Sequence, residues 1–293
     1  MQFIASLSAD QRREMTLKSN KKGLLHLLFH ALTLVFVGAL IQIRVPGWQF
    51  LMIPQGICLI FLFTLLHETL HATAFRSKSI NIYLGYICGF LLLIPPLWFR
   101  YFHFAHHRHT QDPKRDPELQ TPKPETRSEY MLHVSGIPTW VSQLKTLVQN
   151  ASGKISEPYI PNTAIDKVRV ESRIFLKLYV LIFILQFIFQ STALLYLWVI
   201  PLLIGQPFLR LYLLAEHGRC PFVENMFVNT RTTFTSALVR RLAWNMPYHA
   251  EHHAMPSVPF HALPKLHDLT QEHLQSTAKG YREFNKSYLA KIK

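Results

Sequence analysis

Two apolar runs near the N-terminus are parted by only a few residues. Residues 24–43 (LLHLLFHALTLVFVGALIQI) and 48–66 (WQFLMIPQGICLIFLFTLL) are each close to the ~20 residues a helix needs to cross a bilayer. Arg44, Pro46 and Gly47 lie between them and predict a tight turn. A later stretch, Ile174 to Leu214, carries charge only at Lys177 and Arg210. As helix it would be roughly 60 Å long, enough for two crossings of a ~30 Å core. The polar trio Gln190, Ser191 and Thr192 marks the hairpin between them. The predicted spans are therefore 24–43, 48–66, 174–190 and 193–214. Residues 80–99 (INIYLGYICGFLLLIPPLWF) are also long and apolar. A bend at Pro95 and Pro96 predicts a re-entrant pair of half-helices there, because proline removes a backbone donor and breaks the helix.

Charge gives these spans a direction. Five basic residues (Arg12, Arg13, Lys18, Lys21, Lys22) precede the first span, eleven Lys or Arg fall between Arg100 and Arg173, and ten follow Leu214. The two opposite turns hold only Arg44. By the positive-inside rule both termini and the long central loop are cytoplasmic. The expected fold is an all-α integral membrane protein, a single domain over residues 1–293, with four transmembrane helices and a cytoplasmic helical cap made of 100–173 and 215–293. The formal charge of +14 follows from this topology and calls for no nucleic acid partner. Three cysteines, Cys58, Cys88 and Cys220, make no disulfide framework. The polar first twenty residues give no sign of a cleavable leader. No GxGxxG, P-loop or CxxC indicates a nucleotide, flavin or iron–sulfur module.

Nine of the sixteen histidines are patterned. His67 and His71 form HxxxH; His103, His106 and His107 form HxxHH; His249, His252 and His253 repeat HxxHH, and His217 stands between. Spacings of three and four place side chains on one helix face, so each box presents a row of imidazoles. Imidazole is the commonest protein metal ligand near neutral pH, and facing rows would enclose metal. The isolated His26, His30, His133, His261, His267 and His273 are read as packing or surface residues, and His109 points off its row.

The boxes, in this order relative to the spans, resemble the membrane fatty acid desaturase and hydroxylase family from about Leu24 to Leu266. The most specific elements are His67 to His71, His103 to Asp116 (HFAHHRHTQDPKRD) and Trp244 to Pro256 (WNMPYHAEHHAMP). The resemblance implies two iron ions held by the nine histidines at the cytoplasmic face, with His217 joining from the end of a late span. Leu213 stands where the acyl-CoA branch carries Asn, which points away from an acyl-CoA substrate. A rival reading comes from His67-Glu68-Thr69-Leu70-His71, an HExxH zinc protease signature, but a protease would leave both HxxHH rows unexplained. A metal carrier without catalysis is the other rival.

Iron on neutral nitrogen ligands activates O2 and abstracts hydrogen from an unactivated C–H bond, and a bilayer supplies an acyl chain to attack. Desaturation of a lipid acyl chain is the first expectation, with hydroxylation, and then a carotenoid-type substrate, as alternatives. Glu68, Asp112, Asp116, Glu216, Glu251 and Asn245 are candidates to orient imidazoles by accepting their second N–H; Asn245 could instead cap the helix of the last box. Electrons would come from a separate ferredoxin or cytochrome b5 with its reductase, steered by the basic face.

Overall fold

Serine caps start the first helices. Ser8 accepts from the Gln11 amide while the Gln11 side chain accepts from Ser8 N, a capping box that opens α1 (Ala9–Met15). Ser19 accepts from Lys22 N at 3.2 Å and opens α2 (Asn20–Gln42). The expected turn follows, with positive φ at Arg44 and Gly47. The next run breaks once at Phe61 to give α3 (Trp48–Ile60) and α4 (Leu62–Leu70). This computed structural model describes residues 6–293, which are mostly helical.

The ambiguous segment is two helices, α5 (Lys78–Leu92) and α6 (Pro96–His109), bent by 96°. Leu93, at φ 61°, ends α5, and Pro96 occupies the first turn of α6, where its missing N–H is harmless. The other orphaned amides of that turn are met from a distance. The Glu171 carboxylate accepts from Leu97 N at 2.9 Å and from Trp98 N at 3.3 Å. That acceptor lies on α9, which follows α7 (Arg127–Ser135) and α8 (Ile137–Ser152) and runs Asn162–Ile188.

The hairpin falls where the polar trio predicts it, with Gln190 at φ 47°, and a π-helical segment, Leu195–Val199, leads into α10 (Ile200–His217). Short helices complete the chain: α11 (Met226–Asn229), α12 (Ala237–Leu242), α13 (His249–Ala254), α14 (Leu263–Thr270) and α15 (Tyr281–Leu289). The all-α expectation misses one detail, a parallel pairing of Thr232–Thr233 with Thr277–Ala278 that ties the tail together.

Among the described residues three helical stretches are long and apolar enough to cross a membrane: Ala9–Gln42, Trp48–Leu70 and Leu195–His217. The bent α5–α6 pair would make a fourth if it crossed as one. The expected span at 174–190 lies on α9, whose last eighteen residues include Glu171, Arg173 and Lys177. Its end still turns Val180, Phe183 and Phe187 outward. Leu28, Leu32, Val35 and Phe36 of α2 are exposed in the same way, as suits helices solvated by lipid. The described chain thus has three, or with the bent pair four, helices long and apolar enough to cross a membrane.

Small residues set the closest helix contact. A Cβ on Gly56 of α3 would lie 2.0 Å from the Pro201 carbonyl oxygen, and one on Gly205 of α10 would lie 2.2 Å from Gly56 O. Neither backbone can yield, so the two helices touch as small-residue interfaces in bilayers do. Gly205→Ala should destabilise the protein by roughly 1–3 kcal/mol, while Gly38→Ala, whose Cβ would meet nothing closer than 3.5 Å, should be near neutral. Thermal unfolding in detergent, followed by size-exclusion fluorescence, checks this; equal melting of the two variants would contradict the packing argument.

Candidate metal centre

Four helix ends converge. α4 finishes with His67 and His71 at its C-terminus, α6 carries His103, His106 and His107 in its last two turns, α10 ends on His217, and α13 consists largely of the final box. A buried core holds α4 and α6 against the tail: Leu65, Leu66, Phe75, Trp244, Met246 and Leu263 share one cluster. Trp244 also packs on His26 and Phe260, with ring centroids 4.4 and 4.7 Å away.

The structure brings all nine box histidines together, in two groups. One ring nitrogen from each of His67, His71, His103, His107 and His252 lies within 4.8 Å of the others, and His106, His217 and His253 form a second such set. His249 stands beside the second, its Nε2 3.2 Å from His217 Nε2. The division follows helix geometry. Members four apart share a group (67 with 71, 103 with 107, 249 with 253), while the remaining member of each HxxHH box, turned by about 100° from its neighbour, reaches the other.

Hydrogen bonds fix the tautomers of the second group. His106 Nδ1 donates to Asp116 Oδ1 at 2.9 Å, and His217 Nδ1 donates to the Asn229 carbonyl at 3.3 Å. The Thr110 hydroxyl gives its proton to His106 O at 2.8 Å, so at 3.1 Å it accepts from His253 Nδ1. Each of these imidazoles then turns an unprotonated Nε2 inward. Two such nitrogens, on His106 and His217, are 3.2 Å apart with no proton to share. Burial, then the neighbouring imidazoles, holds His249, His252 and His253 well below the ordinary histidine pKa, in the neutral form that binds metal. Both ring nitrogens of His67, Nδ1 of His107 and His252, and Nε2 of His253 are buried without a hydrogen-bond partner. Converging lone pairs and orphaned nitrogens fit two cations of nitrogen-preferring type.

The six proposed partners divide. Asp116 holds His106, and Glu216 Oε1 is 3.5 Å from His249 Nδ1. Glu68 instead accepts from Thr73 Oγ1 at 2.9 Å and Phe260 N at 3.1 Å. Glu251 takes His267 Nδ1 at 2.5 Å and the Thr232 hydroxyl, so His267, isolated in sequence, buttresses the helix of the last box. Asp112 is engaged within its own turn by Lys114 N, Arg115 N and the Arg115 guanidinium. The capping reading of Asn245 is corrected: the residue before α13 is Tyr248, and Asn245 sits at φ 58° with its amide on Phe260 O, because the turn after Trp244 places it three residues too early. His109 joins neither group. Thr110 and Asn229 were not foreseen, since neither stands in a histidine box.

Two groups of buried histidines that could each hold a metal ion thus sit at the ends of helices apolar enough to cross a membrane. The model of the family "Fatty acid desaturase" matches residues 45–285, and the chain belongs to that family, one of oxidoreductases. Comparison with curated proteins gives no match.

Because Asp116 fixes the His106 tautomer whereas Asp112 serves only its turn, Asp116→Ala should weaken metal binding roughly 10–100-fold. Asp112→Ala should leave it unchanged. Metal content after dialysis against a graded chelator reads the difference, and equal retention in both variants would refute the role of Asp116.

Proposed function

We propose that the protein is a di-iron, O2-dependent desaturase that introduces a double bond into the acyl chain of a membrane lipid. The observation that carries this reading is the convergence of unprotonated imidazole nitrogens into two adjoining groups at the ends of apolar helices. The nine box histidines would hold two irons, five donors from His67, His71, His103, His107 and His252 on one side and His106, His217, His249 and His253 on the other. Iron bound there supplies oxygen activation and abstraction of hydrogen from an unactivated C–H bond.

The residues of the chain do the rest. Asp116, Thr110 and Asn229 hold protons on the outward ring nitrogens and keep the inward ones free. Phe99, 5.7 Å from the His103 ring, and Phe63 beyond it at 5.5 Å wall the first group with apolar surface, which admits hydrocarbon and disfavours water. In this reading 24–43, 48–66, 174–190 and 193–214 cross the bilayer, α5 and α6 are re-entrant, and both termini and the histidines face the cytoplasm, where basic residues concentrate. Removing two hydrogens while reducing O2 to two waters needs two electrons from outside, so a ferredoxin or cytochrome b5 with its reductase would dock on the basic face. The HExxH protease reading is disfavoured because His67 and His71 share their group with three further imidazoles, His103, His107 and His252, where a zinc protease needs one further ligand.

Expression with a reductase system should yield lipids lighter by two hydrogens; a gain of one oxygen would make the enzyme a hydroxylase. Alanine at any of the nine box histidines should bring product to background, whereas His109→Ala and His133→Ala should retain measurable activity. Purified protein should hold about two irons, with activity tracking iron and not zinc. Full activity in a preparation with one zinc and no iron, or normal product from the nine variants, would overturn the reading.

A further inference from the structure

Helix α8 carries an apolar stripe that no other described residue covers. Ile137, Val141, Leu144 and Val148 are all exposed, and at about 100° per residue their spacing keeps them inside an arc of about 60°. The next arc round the helix holds Ser142, Lys145, Gln149 and Ser152, also exposed. On the other side of the stripe Leu147, Asn150 and Ala151 are buried against the protein. The helix thus has a packed face, an open apolar face and an open polar face. In water the apolar face would be a liability, and in hydrocarbon the polar one would be. At the boundary between the two solvents both are satisfied.

Two contacts set the level of α8. At its C-terminal end Arg173 Nε donates to Ala151 O at 2.7 Å, and Arg173 immediately precedes the span 174–190. At its N-terminal end Gly136, at φ 73°, approaches α10 so closely that a Cβ there would lie 2.2 Å from Gln206 Cγ. Gln206 is roughly 12 Å of helix inside the Leu214 end of the span 193–214. α8 therefore runs between the edge of one span and the interior of another. α9 packs along it and exposes Ile174, Leu178 and Leu181 just beyond Arg173, so lipid-facing surface begins where α8 ends. Its charge agrees with this level: α8 has no acidic residue, and its one lysine, Lys145, stands in the polar arc, where the anionic surface of a cytoplasmic leaflet would meet it.

We propose that α8 lies in the cytoplasmic boundary of the bilayer, with Ile137, Val141, Leu144 and Val148 among lipid acyl chains and Ser142, Lys145, Gln149 and Ser152 in water. A docked protein would also cover the stripe, but not at a level inside the hydrocarbon. The inference rests on the four-span topology proposed above and is independent of the metal assignment.

Full-length protein in nanodiscs of phosphatidylcholine and phosphatidylglycerol tests it by electron paramagnetic resonance, with a nitroxide on one introduced cysteine at a time. Val141→Cys and Leu144→Cys report the stripe, Ser142→Cys and Gln149→Cys the polar arc, and Phe183→Cys on α9 the hydrocarbon. The native Cys58, Cys88 and Cys220 are buried, and wild type treated with the label supplies their background. Labels at 141 and 144 should collide with O2, escape a water-soluble nickel chelate and read ~5–10 Å below the phosphate level. Labels at 142 and 149 should meet the chelate. Nickel access at 141 and 144 equal to that at 142 would put the stripe in water and overturn the proposal. Immobilised labels at 141 and 144, shielded from both reagents, would overturn it in favour of a protein partner or a second copy of the chain. Nickel access at position 183 would instead sink the span 174–190, and with it the topology on which the inference rests.

Discussion

A buried space lined by imidazole nitrogens whose protons point away from it is unstable as it stands. Each ring can carry one proton when neutral, and in the second group Asp116, Asn229 and Thr110 hold that proton on Nδ1. The inward lone pairs cannot pair with one another, and burial opposes adding protons. A cation held among them would relieve the conflict, and the surrounding helices serve to keep these nitrogens together.

The helices meet that demand with ordinary devices. α3 and α10 approach through Gly56 and Gly205, where backbone touches backbone, and the helices that continue from this contact end at His71 and His217, one in each histidine group. The 96° bend between α5 and α6 returns the chain so that the second box joins the first. Glu171, from α9, receives the free amides at the start of α6, which otherwise would lie unsatisfied in an apolar setting at the cost of a lost hydrogen bond each. The carboxylate that caps this helix therefore also sets the register of His103, His106 and His107.

The split of the boxes gives the motif a mechanical meaning. A pair four residues apart faces one way, and an adjacent histidine faces about 100° away, so each HxxHH segment spans both groups. The two HxxHH boxes do so in opposite senses, 103 and 107 with 252 on one side, 249 and 253 with 106 on the other. Two metals held by such a pair of helices would share their supports, and a disturbance of either helix would reach both.

Much of this was legible in the chain. Hydrophobic run length marked the helices, and Gln190 to Thr192 and Pro95-Pro96 marked their breaks, because chain reversal and helix termination depend on local backbone chemistry. Histidine spacing marked the nine ring nitrogens, because period 3.6 is a local property. What spacing could not give was partnership across the fold. Asp116 and Asp112 look alike in sequence, yet one reaches His106 and the other closes its own turn. His267 looked isolated, yet it holds Glu251. Asn245 looked like a cap, but the turn after Trp244 put Tyr248 in that place. Residues such as Thr110 and Asn229 became visible only in three dimensions, since a hydrogen bond depends on a separation of about 3 Å that helix spacing does not report: Thr110 reaches His253, 143 residues away, and Asn229 reaches His217 around a turn. The sequence thus determined which helices and which imidazoles the protein has; the packing of those helices alone decided which nitrogens face one another and which groups hold their protons.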